Sequence, residues 1–123
     1  MTLFLDETLI KKAKVISLLY KLTIKQNSFL LKNNPKKALF IDDKKDKLLK
    51  LLTEIETSIS KNLIQGRKYS KNAENTIKNI NLLFDDLIKA EKENEILVSQ
   101  YLNLYTGKHV NEYNKIKKQN RYK

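Results

Sequence analysis

The sequence predicts an all-α fold: an elongated antiparallel three-helix bundle or coiled-coil hairpin, followed by a flexible basic C-terminal tail. Three observations carry this. Helix breakers are scarce, with two glycines and one proline in 123 residues, too few for the turns of an all-β chain. Apolar residues recur at steps of three and four in three separate stretches, the spacing that returns to one side of a helix. The connections between those stretches are short, which makes neighbouring helices antiparallel. The predicted organisation is a single helical domain over 1–107, with helices at about 6–32, 35–62 and 71–106, and a basic tail over 108–123 that is disordered when free.

In the first helix Leu9, Ala13, Ile16, Tyr20, Thr23, Asn27 and Leu30 form one seam, widened by Leu5, Leu19, Leu22 and Leu31. Asp6 is placed to cap it, with Glu7 near the positive end of the helix dipole. Lys11, Lys14, Lys21, Lys25 and Lys32 fill much of the remaining face, as a solvated helix side does. Asn33-Asn34-Pro35 ends this helix, because the residue before a proline is driven out of helical geometry. Asn34 then caps the second helix and Pro35 opens it.

The second helix carries its seam on Ala38, Ile41, Lys45, Leu48, Leu52, Ile55 and Ile59. Lys45 interrupts it. The run Asp42-Asp43-Lys44-Lys45-Asp46-Lys47 reads as surface charge pairing along the helix, Asp43 with Lys47 for example. No group nearby equips those carboxylates for acid–base chemistry. Gly66 ends the helix, and Ser70 or Asn72 caps the next.

The longest seam lies in 80–107: Ile80, Leu83, Leu87, Ala90, Asn94, Leu97, Tyr101 and Leu104. Asp85, Lys92, Glu95 and Asn103 occupy the opposite side and are expected to face water. Asn94 either fixes register within the bundle or meets a partner. Tyr101 and Tyr105 suit an interface and are equally ordinary at a bundle edge. At 1.5 Å per residue a 35-residue third helix spans roughly 50 Å. It therefore outreaches the first two and leaves the end of its seam partly uncovered.

The formal charge is +11, with 25 basic residues against 14 acidic. Residues 66–107 are neutral overall, whereas 108–123 carry +5. Only Arg67 and Arg121 are arginine, the residue that nucleic-acid readers favour for its bidentate fork. Together with Asn and Ile enrichment, the lysines point to AT-rich codon usage rather than to nucleic acid. The tail cannot bury enough surface to offset its ordering entropy. Val110, Tyr113 and Ile116, with Lys117, make a short amphipathic turn if a partner supplies the surface.

The chemistry of enzymes is missing. There is no cysteine and one histidine, His109, which excludes thiolate sites and His-based metal centres or triads. Two isolated glycines cannot build a phosphate loop. The segment MTLFLDETLIKK is neither signal peptide nor anchor, and no apolar run reaches the ~18 residues of a membrane span. The expectation is a cytoplasmic binding protein without cofactor, metal, small-molecule substrate or membrane insertion.

Ala38-Leu39, Lys47-Leu48-Leu49, Leu51-Leu52, Asn94, Leu97, Tyr101-Leu102 and Tyr113, with the LLYKLTIKQNSFLLKNN stretch, resemble the FlgN family of flagellar type III export chaperones over nearly the whole chain. The resemblance implies a cytoplasmic chaperone. Its clients would be the C-terminal helical segments of the hook–filament junction (hook-associated) proteins FlgK and FlgL. It would keep them from aggregating and deliver them to the export gate protein FlhA. On that reading Asn94, Leu97, Tyr101, Leu104 and Tyr105 form the client surface, and Tyr113 helps dock on the gate. The alternatives are a basic helical nucleic-acid-binding protein and a structural coiled-coil oligomer, including a homodimer that swaps its third helix.

Overall fold

A computed structural model describes residues 5–102, 113 and 115–117. Among these there are three long helices and no strand: α1 (Asp6–Leu31), α2 (Pro35–Ile64) and α3 (Ala73–Leu102). The all-α three-helix prediction holds. The part of α3 expected at 103–106, and with it the overhang, lies outside the described residues.

The turns follow from their residues. Asn33 takes a left-handed φ of 58°, which Asn tolerates better than most side chains. The Asn34 side chain accepts from Lys37 N at 3.3 Å and Pro35 opens α2, as predicted. Gly66 has φ 87°, the conformation Gly enters without penalty just past a helix end. Asp6 departs from expectation. It does not cap α1, whose N-cap is Leu5 with no side-chain bond. Instead its Oδ1 accepts from Ser70 N at 3.0 Å, and its Oδ2 accepts from the Ser70 hydroxyl. With Leu5 N donating to the Lys68 carbonyl at 3.1 Å, this ties the α2–α3 connection to the start of α1. Ser70 is thereby engaged by α1.

The helices are not equivalent. α1 packs along both α2 and α3, whereas α2 and α3 scarcely approach each other. The pairings Gln26 with Ala38 and Lys12 with Glu56 run in opposite senses along α1 and α2, so these two are antiparallel. Asn27 bonds Ala90 and Lys12 lies over the Phe84 ring, so α1 and α3 run the same way. α1 is thus the central helix, and it buries two faces rather than one. Leu9, Ile16, Thr23, Asn27 and Leu30 belong to the predicted seam, while Lys12, Val15, Leu19 and Gln26 form a second buried stripe beside it. The lysines at 11, 14, 21, 25 and 32 are all exposed, as expected.

The core runs through Ile16, Leu19, Leu52, Ile59, Ile80, Phe84 and Leu87. Each such side chain, fully withdrawn from water, stabilises the fold by about 1.5–3 kcal/mol. Tyr113 and Ile116 belong to this same core. The solvated tail expected from composition is therefore corrected at those two residues: both are buried against the bundle.

Candidate partner-binding groove

α3 presents two stripes. Ile80, Leu87, Ala90 and Asn94 are buried, with Leu83 and Leu97 half-buried; the hydrogen bonds from Asn94 and to Ala90 show this stripe facing α1. The second stripe steps four, three, four, three through Phe84, Ile88, Glu91, Glu95 and Val98, and its Glu91 and Val98 face α2. Glu91 reaches Lys45 across the gap, and Val98 faces Pro35, Ala38, Leu39 and Asp42 over a small apolar cleft. Because α2 and α3 stay apart, this second stripe forms one wall of a groove. Glu95, expected in water, is buried in that wall.

The floor of the groove is polar. Lys45 Nζ donates to Glu91 Oε1 at 2.6 Å and to Gln26 Oε1 at 2.8 Å. Gln26 Nε2 in turn donates to the Ala38 carbonyl at 2.8 Å and to Asp42 Oδ1 at 2.6 Å. All three helices are joined in this way. The Lys45 and Glu91 side chains are both fully buried, at 0% exposure, so Lys45 is corrected from surface charge to the centre of the molecule. A second ion pair, Lys12 with Glu56, is almost as deeply enclosed, and the Lys12 ammonium sits 5.8 Å from the centre of the Phe84 ring. One turn beyond Glu91, Asn94 Nδ2 donates to Asn27 Oδ1 at 2.7 Å, and Asn27 Nδ2 donates to the Ala90 carbonyl at 3.1 Å.

The described C-terminal residues, 113 and 115–117, lie in the groove. Residues 113 and 115–117 are helical, and Tyr113 is completely buried with Ile116 close behind. Burial pushes the Tyr113 phenol well above its ordinary range, and the carboxylates of Glu91 on α3 and of Asp46 and Asp42 on α2 push it further. Lys117 pairs with Asp85 of α3 at the solvent edge. On the other side Lys115 and Ile116 meet Thr53, Glu56, Thr57 and Lys61 of α2 around a cleft of about 270 Å³. Nearer the α2–α3 connection, Tyr69 is pushed up to about 12 by burial and then by Glu56.

The predicted site residues therefore divide. Asn94 is a register pin between α1 and α3, since its amide is committed to Asn27. Leu97 continues the α1-facing stripe and is half-buried. The Tyr101 side chain, Leu104 and Tyr105 lie outside the described residues. Tyr113 is enclosed by its own chain rather than presented for docking. Sequence reasoning missed the second α3 stripe because two of its five members are glutamates. Its three-four spacing was the available signal.

Among the described residues no cluster of His, Cys, Asp or Glu is arranged to hold a metal ion, and no helix is long and apolar enough to cross a membrane. What the arrangement shows is a groove between α2 and α3 that takes a helical turn of the chain itself. Comparison with family models, with curated proteins and with solved structures gives no match to this chain.

Proposed function

We propose that this chain is a cytoplasmic chaperone of the FlgN kind, which shelters an amphipathic helix of a hook-associated protein before export and hands it to an FlhA-like gate. The observation that supports the reading is the separation of α2 from α3, with a short amphipathic turn lying between them. A bundle closed for its own sake packs all its helices together. One that leaves two helices apart has room for helix-in-groove recognition. Filament-type subunits carry terminal helices that are unpaired until assembly, and an unpaired apolar stripe aggregates. Release then needs only a competing site, which agrees with the lack of catalytic groups in the sequence.

The test is co-purification of the full chain with the C-terminal helical segments of FlgK-like and FlgL-like proteins. A stoichiometric complex is expected, and it keeps the segment soluble. Failure to retain either segment overturns the reading. Replacing Leu97 and Leu104 by Asp separates the sites. Loss of binding with helicity intact places the client at the distal end of α3, and unchanged binding removes it from there.

A nucleic-acid reading keeps one specific observation in its favour, the five exposed lysines along α1. Binding through them weakens steeply with salt. Absence of DNA or RNA retention near ~0.1 M salt, where such charges are only partly screened, removes it.

A further inference from the structure

The chain carries +11 overall, yet the walls of the α2/α3 groove are acidic. Asp42 and Asp46 stand on α2 and Asp85 and Glu91 on α3, and all four bear on the C-terminal turn, Glu91 being already paired with Lys45 of the groove floor. Glu95, one turn beyond Glu91, is also buried, and its Oε2 has no hydrogen-bond partner among the described residues. An acidic cleft in a basic protein is a selective feature, because it attracts what the rest of the surface repels.

The residues now in the groove show what it accepts. Tyr113 fills the deepest position, Ile116 follows three residues on, and Lys117, one further, reaches the acidic rim at Asp85. That is the i, i+3, i+4 pattern of a single helical face. The hold is modest. Among the described residues it includes two buried side chains, a hydrogen bond between the Tyr113 phenol and Glu91, and one ion pair whose acidic partner is 54% exposed, and exposed pairs contribute little. The sequence 108–123 cannot fold without a surface to lie on.

We infer that the α2/α3 groove is a docking site for a short basic amphipathic helix of a partner, bearing an aromatic residue followed at three and four positions by an aliphatic and a lysine or arginine, and that the chain's own Tyr113, Ile116 and Lys117 are its resident stand-in. The inference rests on the helix-sheltering reading above and names its site and the charge of its guest. The resident turn covers the groove when no guest is present and must leave when one arrives. The groove and the resident therefore form a competition, and anything that loosens the resident raises the apparent affinity for the guest.

The probe is a fluorescent peptide with the sequence of residues 108–123, and the readout is anisotropy against the full chain. The parent chain is expected to bind it weakly. The full chain carrying Tyr113→Ala with Ile116→Ala is expected to bind it about tenfold more tightly or better, as expected when a competitor has occupied nine-tenths of the sites. Lys117→Glu, a substitution at the rim that spares the core, is the second variant and is expected to shift binding the same way. Adding Asp85→Lys to either variant weakens the peptide several-fold, and a peptide with glutamate at the position of Lys117 recovers it.

No peptide binding to either variant, with helicity retained, overturns the inference. So does a concentration-dependent dimer of the parent in sedimentation, because the groove is then filled by a second copy. Binding of a scrambled peptide as tightly as the probe overturns it as well. A hook-associated C-terminal segment in the same assay separates the two readings. If that segment binds parent and variants alike, the chaperone stands and this groove is not its site. If the peptide binds and that segment does not, the groove stands and the flagellar assignment falls.

Discussion

Breaking the Lys45–Glu91 pair tests the architecture most directly. The two charges are 2.6 Å apart and neither side chain reaches solvent. Lys45→Met leaves a carboxylate enclosed with no cation to compensate it, and it also strips Gln26 Oε1 of its donor. Removing one partner of such a pair typically costs about 3–5 kcal/mol. Against a total stability of about 5–15 kcal/mol for a domain, that is a large fraction. Glu91→Leu strands the ammonium instead and is expected to cost about the same. The double variant behaves differently. Replacing a buried ion pair by apolar groups of similar volume is often neutral, or stabilising by about 1–4 kcal/mol. The coupling between the two sites is therefore large and opposes the single losses. Urea unfolding followed by far-ultraviolet circular dichroism measures all four proteins, and a constant slope with denaturant confirms that the same surface is exposed in each. If both single variants lose less than about 1 kcal/mol, the range of a solvent-exposed pair, the groove floor is wet and the reasoning fails.

Asn94→Leu leaves Asn27 Oδ1 buried without its donor and is expected to cost about 1–3 kcal/mol; chemical denaturation measures it, and adding Asn27→Leu recovers most of the loss. Gly66→Ala places a side chain at φ 87° with nothing nearby to clash, so the expected cost is the left-handed penalty alone, about 1–2 kcal/mol, read as a shift in thermal midpoint. Tyr69 and Tyr113 hold their phenolic protons more tightly when folded than the ordinary value of 10.0. The unfolded chain loses those protons first, so stability is full below pH 10 and falls as pH rises toward 12 and beyond. Absorbance near 295 nm during alkaline titration is expected to show Tyr69 ionising late and Tyr113 only together with unfolding.

The seams, the Asn34-Pro35 turn and the Gly66 stop were legible in the sequence because each is a local matter of spacing or of backbone preference. The exposed α1 lysines were legible for the same reason. The polar interior was not. Lys12, Gln26, Lys45, Glu56 and Glu91 read as surface residues when each is taken alone, since burying any one of them unpaired is prohibitive. What makes them interior is a partner on a different helix, and nothing in the spacing along one helix records that. Lys45 left a trace by interrupting an otherwise apolar seam. The C-terminal turn was misplaced by a related argument. Its composition does rule out folding on its own, but the groove supplies the missing apolar surface, and Tyr113 and Ile116 pack into it.

The polar floor and the separation of α2 from α3 have one physical origin. Two helices joined through leucines close to the distance of their side-chain ridges, about 8–10 Å between axes, and exclude anything else. α2 and α3 are joined at Lys45 and Glu91 by two long side chains meeting end to end, with Gln26 of α1 supporting them from below. That linkage spans the gap between the helices, and the Tyr113 ring packs in the same gap beside Glu91. A core of leucines at these positions satisfies the hydrophobic effect better and leaves no room for a guest. The double variant Lys45→Met with Glu91→Leu therefore carries a second expectation. Its stability holds or rises, while peptide binding at the groove falls, because the helices draw together over the site. Stability and binding moving in opposite directions is the signature of a groove propped open by buried charge. If both rise together, the ion pair is a mere packing defect and the groove owes its width to something else.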